Sequence, residues 1–255
     1  MLPSHPSIVA EALLLARRSH QLADARALAS HVTTPADAYA IQALVSQGIQ
    51  ASDGFPGAWK SGGPSRTAEP THAALPAVGV WASPAVAKAW PFTLRLIEVE
   101  IALRLGRAVT AADAASLTHE DAPALVDAMA VSIEIVDSRW REGVGAPALM
   151  KLADLQSHGA LVLGSWVPFA QRDWATQSCS VQIGTGAPQA FCGTHSMGDP
   201  AWVLPAWLRH ATRDGATVPA GTVVTTGTWC GMLAAAAGDL VTASFAGIGA
   251  ASVQL

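Results

Sequence analysis

The chain has 255 residues, enough for one large domain or a domain with a subdomain, and enough to bury a sizeable core. Hydrophobic residues make up 51% and charged residues 13%, and the formal net charge is −4. With no basic block and no apolar run near the roughly 18 residues a bilayer span needs, the composition argues against nucleic-acid binding, anionic-membrane binding and a transmembrane segment.

The first helical stretch covers residues 6–29, rich in Ala and Leu with charged positions at helical spacing. Its arginines follow its apolar run, which is the wrong order for a secretory signal. Cys179, Cys192 and Cys230 are odd in number and lack CxxC spacing, so reduced thiols and a cytoplasmic location are expected. A second helix starts at Thr34, with Pro35 at its first position and Asp37 placed for a capping box, and should stop near Gly48. A breaker-rich loop, GFPGAWKSGGPSRTAEP, spans residues 54–70. Short apolar pieces follow at 78–81 and 92–105, and Thr118 with Glu120 and Asp121 predicts a helix over 118–130. Beyond it, SIEIVDSRW, GALVLGSWVPF, SCSVQIG, TVVTTGT, LVTASFAGI and AASVQL favour strands. One helix interrupts them near 203–213, with Gly215 just past its end. The organisation expected is a helical N-terminal portion, residues 1–50, and a β-rich catalytic portion, residues 51–255. The apolar composition also suggests surface buried between subunits, hence a homo-oligomer.

The chemistry concentrates in two strands. In LRLIEVEIALRL, residues 94–105, apolar residues alternate with Glu98 and Glu100, which therefore share a face about 7 Å apart. Glu134 lies between Ile133 and Ile135 in the second strand. Carboxylates on apolar strands need a positive partner, and a hard divalent cation with oxygen ligands is the simplest one. A solvated strand face carrying alternating acids is the competing reading. Lys60, one of three lysines, sits in AWKSGG, where it could be held against an anionic substrate or stand exposed in a loop. Asp137 and Arg139 could pair with each other. Asp154 and Ser157 could reach a site or make turn hydrogen bonds. GTGAPQAFCG, residues 184–193, lacks the following helix and acid of a dinucleotide loop. The eight histidines show no ligand spacing.

These pieces occur in a telling order: DAYAIQ, the Lys60 loop, IEVEIALRL, IEIVDSRW, LADLQSHGALVLG, AWLRHATRDG, AGTVVTTGT and GDLVTASFAGIGAASVQL. From about residue 37 to 255 the pattern resembles the 2-keto-4-pentenoate hydratase family, within the wider fumarylacetoacetate hydrolase superfamily. The resemblance implies an α+β fold, with a helical N-terminal portion beside a mixed β-roll or sandwich. It implies Mg²⁺ or Mn²⁺ on Glu98, Glu100 and Glu134, with Lys60 facing the substrate's carboxylate and enol oxygens. Ser61, Asp154, Ser157 and Thr228 would line the pocket. The chain departs from the family pattern at Ser61, where an apolar residue is usual, and at Leu155, where Asn is usual. The acid that many members place between the lysine loop and the ExE strand to move protons is represented here by Glu69 alone. The expected activity is hydration of a small 2-keto-4-enoate or 2-hydroxydienoate. The alternatives are a 4-oxalocrotonate-type decarboxylase, a C–C bond hydrolase, or a non-catalytic scaffold subunit in complex with a related active hydratase or decarboxylase.

Overall fold

The computed structural model describes residues 5–49 and 54–255. The expected boundary between residues 50 and 51 lies outside them. In chain order the strands are β1 (Ala58–Gly62), β2 (Thr71–Ala74), β3 (Val80–Ala82), β4 (Ala85–Val86), β5 (Leu96–Leu105), β6 (Val126–Val136), β7 (His158–Leu163), β8 (Val167–Pro168), β9 (Ser178–Ile183), β10 (Gln189–Cys192), β11 (Val223–Thr225), β12 (Leu233–Ala234), β13 (Leu240–Phe245) and β14 (Gly249–Gln254). The α-helices are α1 (His5–Ser19), α2 (Ala25–Leu28), α3 (Pro35–Ile49), α4 (Ala111–Ser116), α5 (Ala148–Ala153) and α6 (Leu204–Ala211).

One mixed sheet runs β2-β1-β11-β5-β6-β7-β3, with β12 added to β5 and β8 to β6. The second runs β10-β9-β13-β14-β4. Ile97, Val99, Ile101, Ile133 and Ile135 of the first sheet share one apolar core with Val181, Val241, Phe245 and Val253 of the second. Two sheets share a common core beside the helices, the mixed helix-and-sheet organisation that the family resemblance implied. A smaller core lies under the helices, where Val9 and Leu13 of α1 meet Ile41 and Val45 of α3, together with Trp140 and Met150. Among the described residues no helix is long and apolar enough to cross a membrane.

Local signals set several boundaries as expected. The Asp37 carboxylate accepts from the Thr34 backbone N–H at 2.9 Å, and Thr34 Oγ1 accepts from the Asp37 N–H at 3.2 Å, which closes the box at the head of α3. Residues 6–29 do not form one helix. α1 ends beside His20, whose φ is 58°, and Asp24 restarts the chain as N-cap of α2. The helix expected over 118–130 is absent. Thr118 caps a turn, Pro123 sits in a 3-10 turn, and from Val126 onward the chain pairs with β5. Long-range pairing and burial of Met129, Val131 and Ile133 override the local helix signals. α4, by contrast, has a full capping box, Thr110 with Asp113, that the sequence reading passed over.

The β5–β6 ladder positions the site, so its core face should be sensitive. Ile133 is fully buried there. Ile133→Ala is expected to lower unfolding stability by about 2–5 kcal/mol, measured as a shift in the urea midpoint at unchanged slope.

Candidate metal and substrate site

Antiparallel pairing of β5 with β6 sets Glu98 directly opposite Glu134, and Glu100 opposite Ser132. The three glutamates thus converge, each offering one oxygen, with these oxygens all within 4.8 Å of one another. β11 lies on the other side of β5 and pairs parallel with β1, placing Lys60 beside Thr225. Lys60 reaches over to donate to Glu134 Oε1 at 2.6 Å and to the Gln156 carbonyl at 3.3 Å. His158, which opens β7, sits 3.1 Å from the same Oε1 through Nδ1. Since an ionised carboxylate only accepts, Nδ1 carries the proton. Thr225 Oγ1 and, at 2.8 Å, the Gly227 N–H both donate to Glu100 Oε2.

Burial dominates the electrostatics. It pushes Glu98 up to about 8 against the pull of Lys60, with Glu134 and Glu100 adding repulsion. It pushes Glu100 up to about 7, reinforced by Glu134 and opposed by Lys60. Glu134 suffers the same burial, but Lys60 and His158 outweigh it and hold its carboxyl below the ordinary range. Burial would lower Lys60 too, yet Glu134, Glu98 and Glu100 keep its ammonium above the ordinary value. His158 is depressed by burial and stays neutral. One lysine therefore balances one of three carboxylates. Glu134 Oε2 is buried with no hydrogen-bond partner among the described residues, and Thr225 and Gly227 both donate to the same oxygen of Glu100. A set of carboxylate oxygens short of positive charge, one of them orphaned, suits a hard divalent cation.

Glu98 and Glu100 open into a cavity of about 980 Å³, with Glu134 buried behind its wall. Lys60, Ser61, Glu69, Glu98, Glu100, Ser157 and Thr228 all line it. Ser61 is buried and its Oγ lies 2.9 Å from His72 Nδ1. Glu69 is exposed at the wall. Thr228 Oγ1 donates to the Gly231 carbonyl at 3.0 Å. The Ser157 hydroxyl is buried without a partner among the described residues.

Asp154 is placed differently from the sequence expectation. It is absent from the cavity wall, and its fully buried carboxylate accepts from Arg139 Nε at 2.7 Å, from the Arg139 backbone N–H at 3.0 Å and from Arg17 at 3.0 Å. Arg139 also stands 3.7 Å from Asp137, as the sequence suggested, but Asp137 Oδ1 mainly accepts from Thr93 and Leu94. Asp154 anchors an unusual turn: Leu155, Gln156 and Ser157 have φ of 51°, 55° and 58°. Three successive left-handed non-glycine residues hold strain of about 1–2 kcal/mol each. That turn carries the Gln156 carbonyl to Lys60, while the Gln156 side chain donates to Thr71.

Sequence reasoning missed His158, Gln156, Thr225 and Gly227. His158 and Gln156 lie in the quoted segment LADLQSHG, but nothing local shows that this loop packs on Glu134. The TGT turn did carry a signal: Gly227, within it, and Thr225, just before it, donate to Glu100.

Known proteins share this arrangement of strands. The family model described as fumarylacetoacetate (FAA) hydrolase C-terminal matches residues 78–255. The chain belongs to the fumarylacetoacetate hydrolase family. The matched stretch holds all three glutamates, whereas Lys60 and Glu69 precede it. Among solved structures, 4-oxalocrotonate decarboxylase from Pseudomonas putida G7, complexed with magnesium and adipate, aligns with a TM-score of 0.85 at 20% identity, covering 100% of this chain and 98% of that one. The same enzyme with calcium and acetate gives 0.83. Fumarylpyruvate hydrolase from Pseudomonas aeruginosa, in complex with Mn²⁺ and pyruvate, gives 0.54 at 18% identity, covering 81% and 93%. At these identities the likeness is one of fold. No curated protein sequence matches the chain.

Two outcomes follow from the site's charges. A carboxyl raised in the folded state favours folding below its ordinary value of 4.5 and loses that stability as pH rises through the folded value. Glu134 has the opposite sign, but its window lies below 4.5. The metal-free protein should therefore lose thermal stability from about pH 5 to pH 8 through Glu98 and Glu100. Added Mg²⁺ or Mn²⁺ should restore it most strongly at the upper end, as read from melting midpoints with and without chelator. Asp154→Ala leaves the buried Arg139 and the half-buried Arg17 without their shared carboxylate, and should cost about 3–5 kcal/mol in chemical denaturation.

Proposed function

We propose that this family member is a divalent-metal-dependent lyase acting on a small 2-keto acid or its dienol, and that its reaction is hydration of a 2-hydroxydienoate. The observation that carries this reading is the carboxylate trio, short of positive charge, beside Lys60 in a cavity large enough for substrate. Glu98, Glu100 and Glu134 would hold Mg²⁺ or Mn²⁺. A cation there supplies a Lewis acid for the oxygen on which enolate charge develops.

The chain's own groups do the rest. Lys60 stands at the same end of the cavity with its ammonium retained, so it can donate to a substrate carboxylate or enol oxygen. The Gln156 carbonyl and Glu134 aim it, and the left-handed turn fixes that carbonyl. Thr225 and Gly227 hold Glu100 in one orientation, so its other oxygen keeps one direction. Hydration then needs a proton carrier away from the trio. Glu69 is the cavity's remaining carboxylate among the described lining residues, and its exposure lets it exchange protons with solvent.

Loss of CO₂ from a dicarboxylic 2-keto acid is the second reading. It uses the same electron sink, and Arg209 and Lys151 in the cavity wall offer charges for a second carboxylate. The full-length likeness to a decarboxylase complexed with adipate supports keeping it.

Product mass separates the readings: gain of water, loss of CO₂, or two fragments. Glu98→Gln should abolish both stoichiometric metal and turnover. Glu69→Gln should slow water addition by about 10²-fold or more while exchange of the substrate's C3 protons with deuterium persists. Retained turnover in metal-free protein, or a wild-type protein that takes up no metal, would overturn the enzyme reading in favour of a scaffold.

A further inference from the structure

The metal end accounts for little of the cavity. Its volume of about 980 Å³ lies at the upper end of the range for drug-sized ligands, and a 2-keto acid head with a short carbon chain fills only a fraction of it. What lines the remainder is chemically distinctive. Tyr39 from α3, His72 from β2 and His210 from α6 all face the cavity, so three separate elements bring rings to one place. The His210 ring lies 4.3 Å from that of Tyr39 and 4.9 Å from that of His72, centroid to centroid, both tilted. Trp59 backs His210 edge-on at 6.2 Å.

The two histidines are not charged partners for an acid. Burial is the first cause for both, pushing His72 down to about 3 and His210 to about 4, with Arg213 adding to each. Near neutral pH they present neutral ring faces. The wall also carries apolar Pro35, Leu149 and Ala206, the exposed large hydrophobics Val144 and Met232, and two charged side chains, Lys151 and Arg209. Ser61, unusual for its position, accepts or donates at His72 Nδ1 and so fixes the orientation of that ring.

We infer that this chamber receives an aromatic or other flat conjugated tail, so that the substrate is a 2-keto acid carrying a ring rather than a short aliphatic or dicarboxylic one. The inference rests on the 2-keto acid reading of the metal end. Aromatic rings stack offset or edge-on with neighbours at these spacings, and each such pair adds affinity beyond its buried area. Beside these rings a second carboxylate would meet neutral imidazoles and a phenol; the cations of the wall, Lys151 and Arg209, already donate to the Val144 and Leu117 carbonyls.

The test uses the full-length protein loaded with Mn²⁺ and titrated calorimetrically with four probes: oxalate, pyruvate, 2-oxoadipate and 4-phenyl-2-oxobutanoate. Oxalate reads the metal end alone. The phenyl acid should bind about tenfold or more tighter than pyruvate, and tighter than 2-oxoadipate. Tyr39→Ala should bring the phenyl-to-pyruvate affinity ratio most of the way back to one. Ala206→Trp, which fills the chamber from α6, should do the same by a different route, so the result does not hang on one variant's folding. If oxalate binds but the phenyl acid gains nothing over pyruvate, the tail assignment falls and the metal reading stands. If 2-oxoadipate is the tightest, the chamber reads a charge and the dicarboxylic substrate replaces the aromatic one. If oxalate itself fails to bind, the metal end has been misread and the inference falls with it.

Discussion

Glu98 and Glu134 face each other across the two longest strands of the molecule, and Glu100 stands one pleat away. Like charges in direct cross-strand register weaken a sheet, and burial makes the conflict worse. The surrounding structure is arranged around that conflict. β11 is inserted between β1 and β5, which brings Lys60 within reach of Glu134 and gives Glu100 its donors from Thr225 and Gly227. β7, on the far side of β6, contributes His158. Even so, the trio keeps more negative charge than Lys60 can balance, and that residue of unmet charge is what suits the site to a divalent cation.

A second strained element supports the first. The left-handed run from Leu155 to Ser157 is held at its head by Asp154, buried between two arginines, and near its tail by the Asp137 N–H, which donates to the Ser157 carbonyl at 2.9 Å. Strain of this kind persists only where the surroundings over-determine the backbone. Here the arginine-held carboxylate does so, and the outcome is a carbonyl pointed at the lysine. The resembling family usually places Asn at position 155, a residue that tolerates the left-handed region far better than Leu155 does.

Much of the glutamate end of the cavity was legible in the chain. The period-two pattern around Glu98 and Glu100 declared a strand with both acids on one face, and the glycine-bordered Lys60 stood out. What could not be read was pairing. Nothing local says that Glu98 meets Glu134 rather than a neighbour two residues away, or that LADLQSHG folds its histidine against Glu134. Asp154 looked like a pocket residue because buried ion pairs and binding carboxylates have the same one-dimensional appearance; the approach of Arg139 and of Arg17, 137 residues distant, distinguishes them. Residues 118–130 failed for the same reason, since helix-favouring caps lost to a sheet partner that sequence windows do not see. The rings of Tyr39, His72 and His210 come from three elements and left no joint signal at all.

The first hairpin of the sheet carries a consequence of its own. Lys60 and Ser61 are adjacent on β1, and strand alternation sends one to Glu134 and the other to His72, its partner across the ladder to β2. A slip of β1 by a single position would exchange them, presenting a hydroxyl to the glutamates and stranding an ammonium among imidazoles. The parallel ladder to β11, which locks position 60 to Thr225, is thus also what keeps the two ends of the cavity chemically distinct.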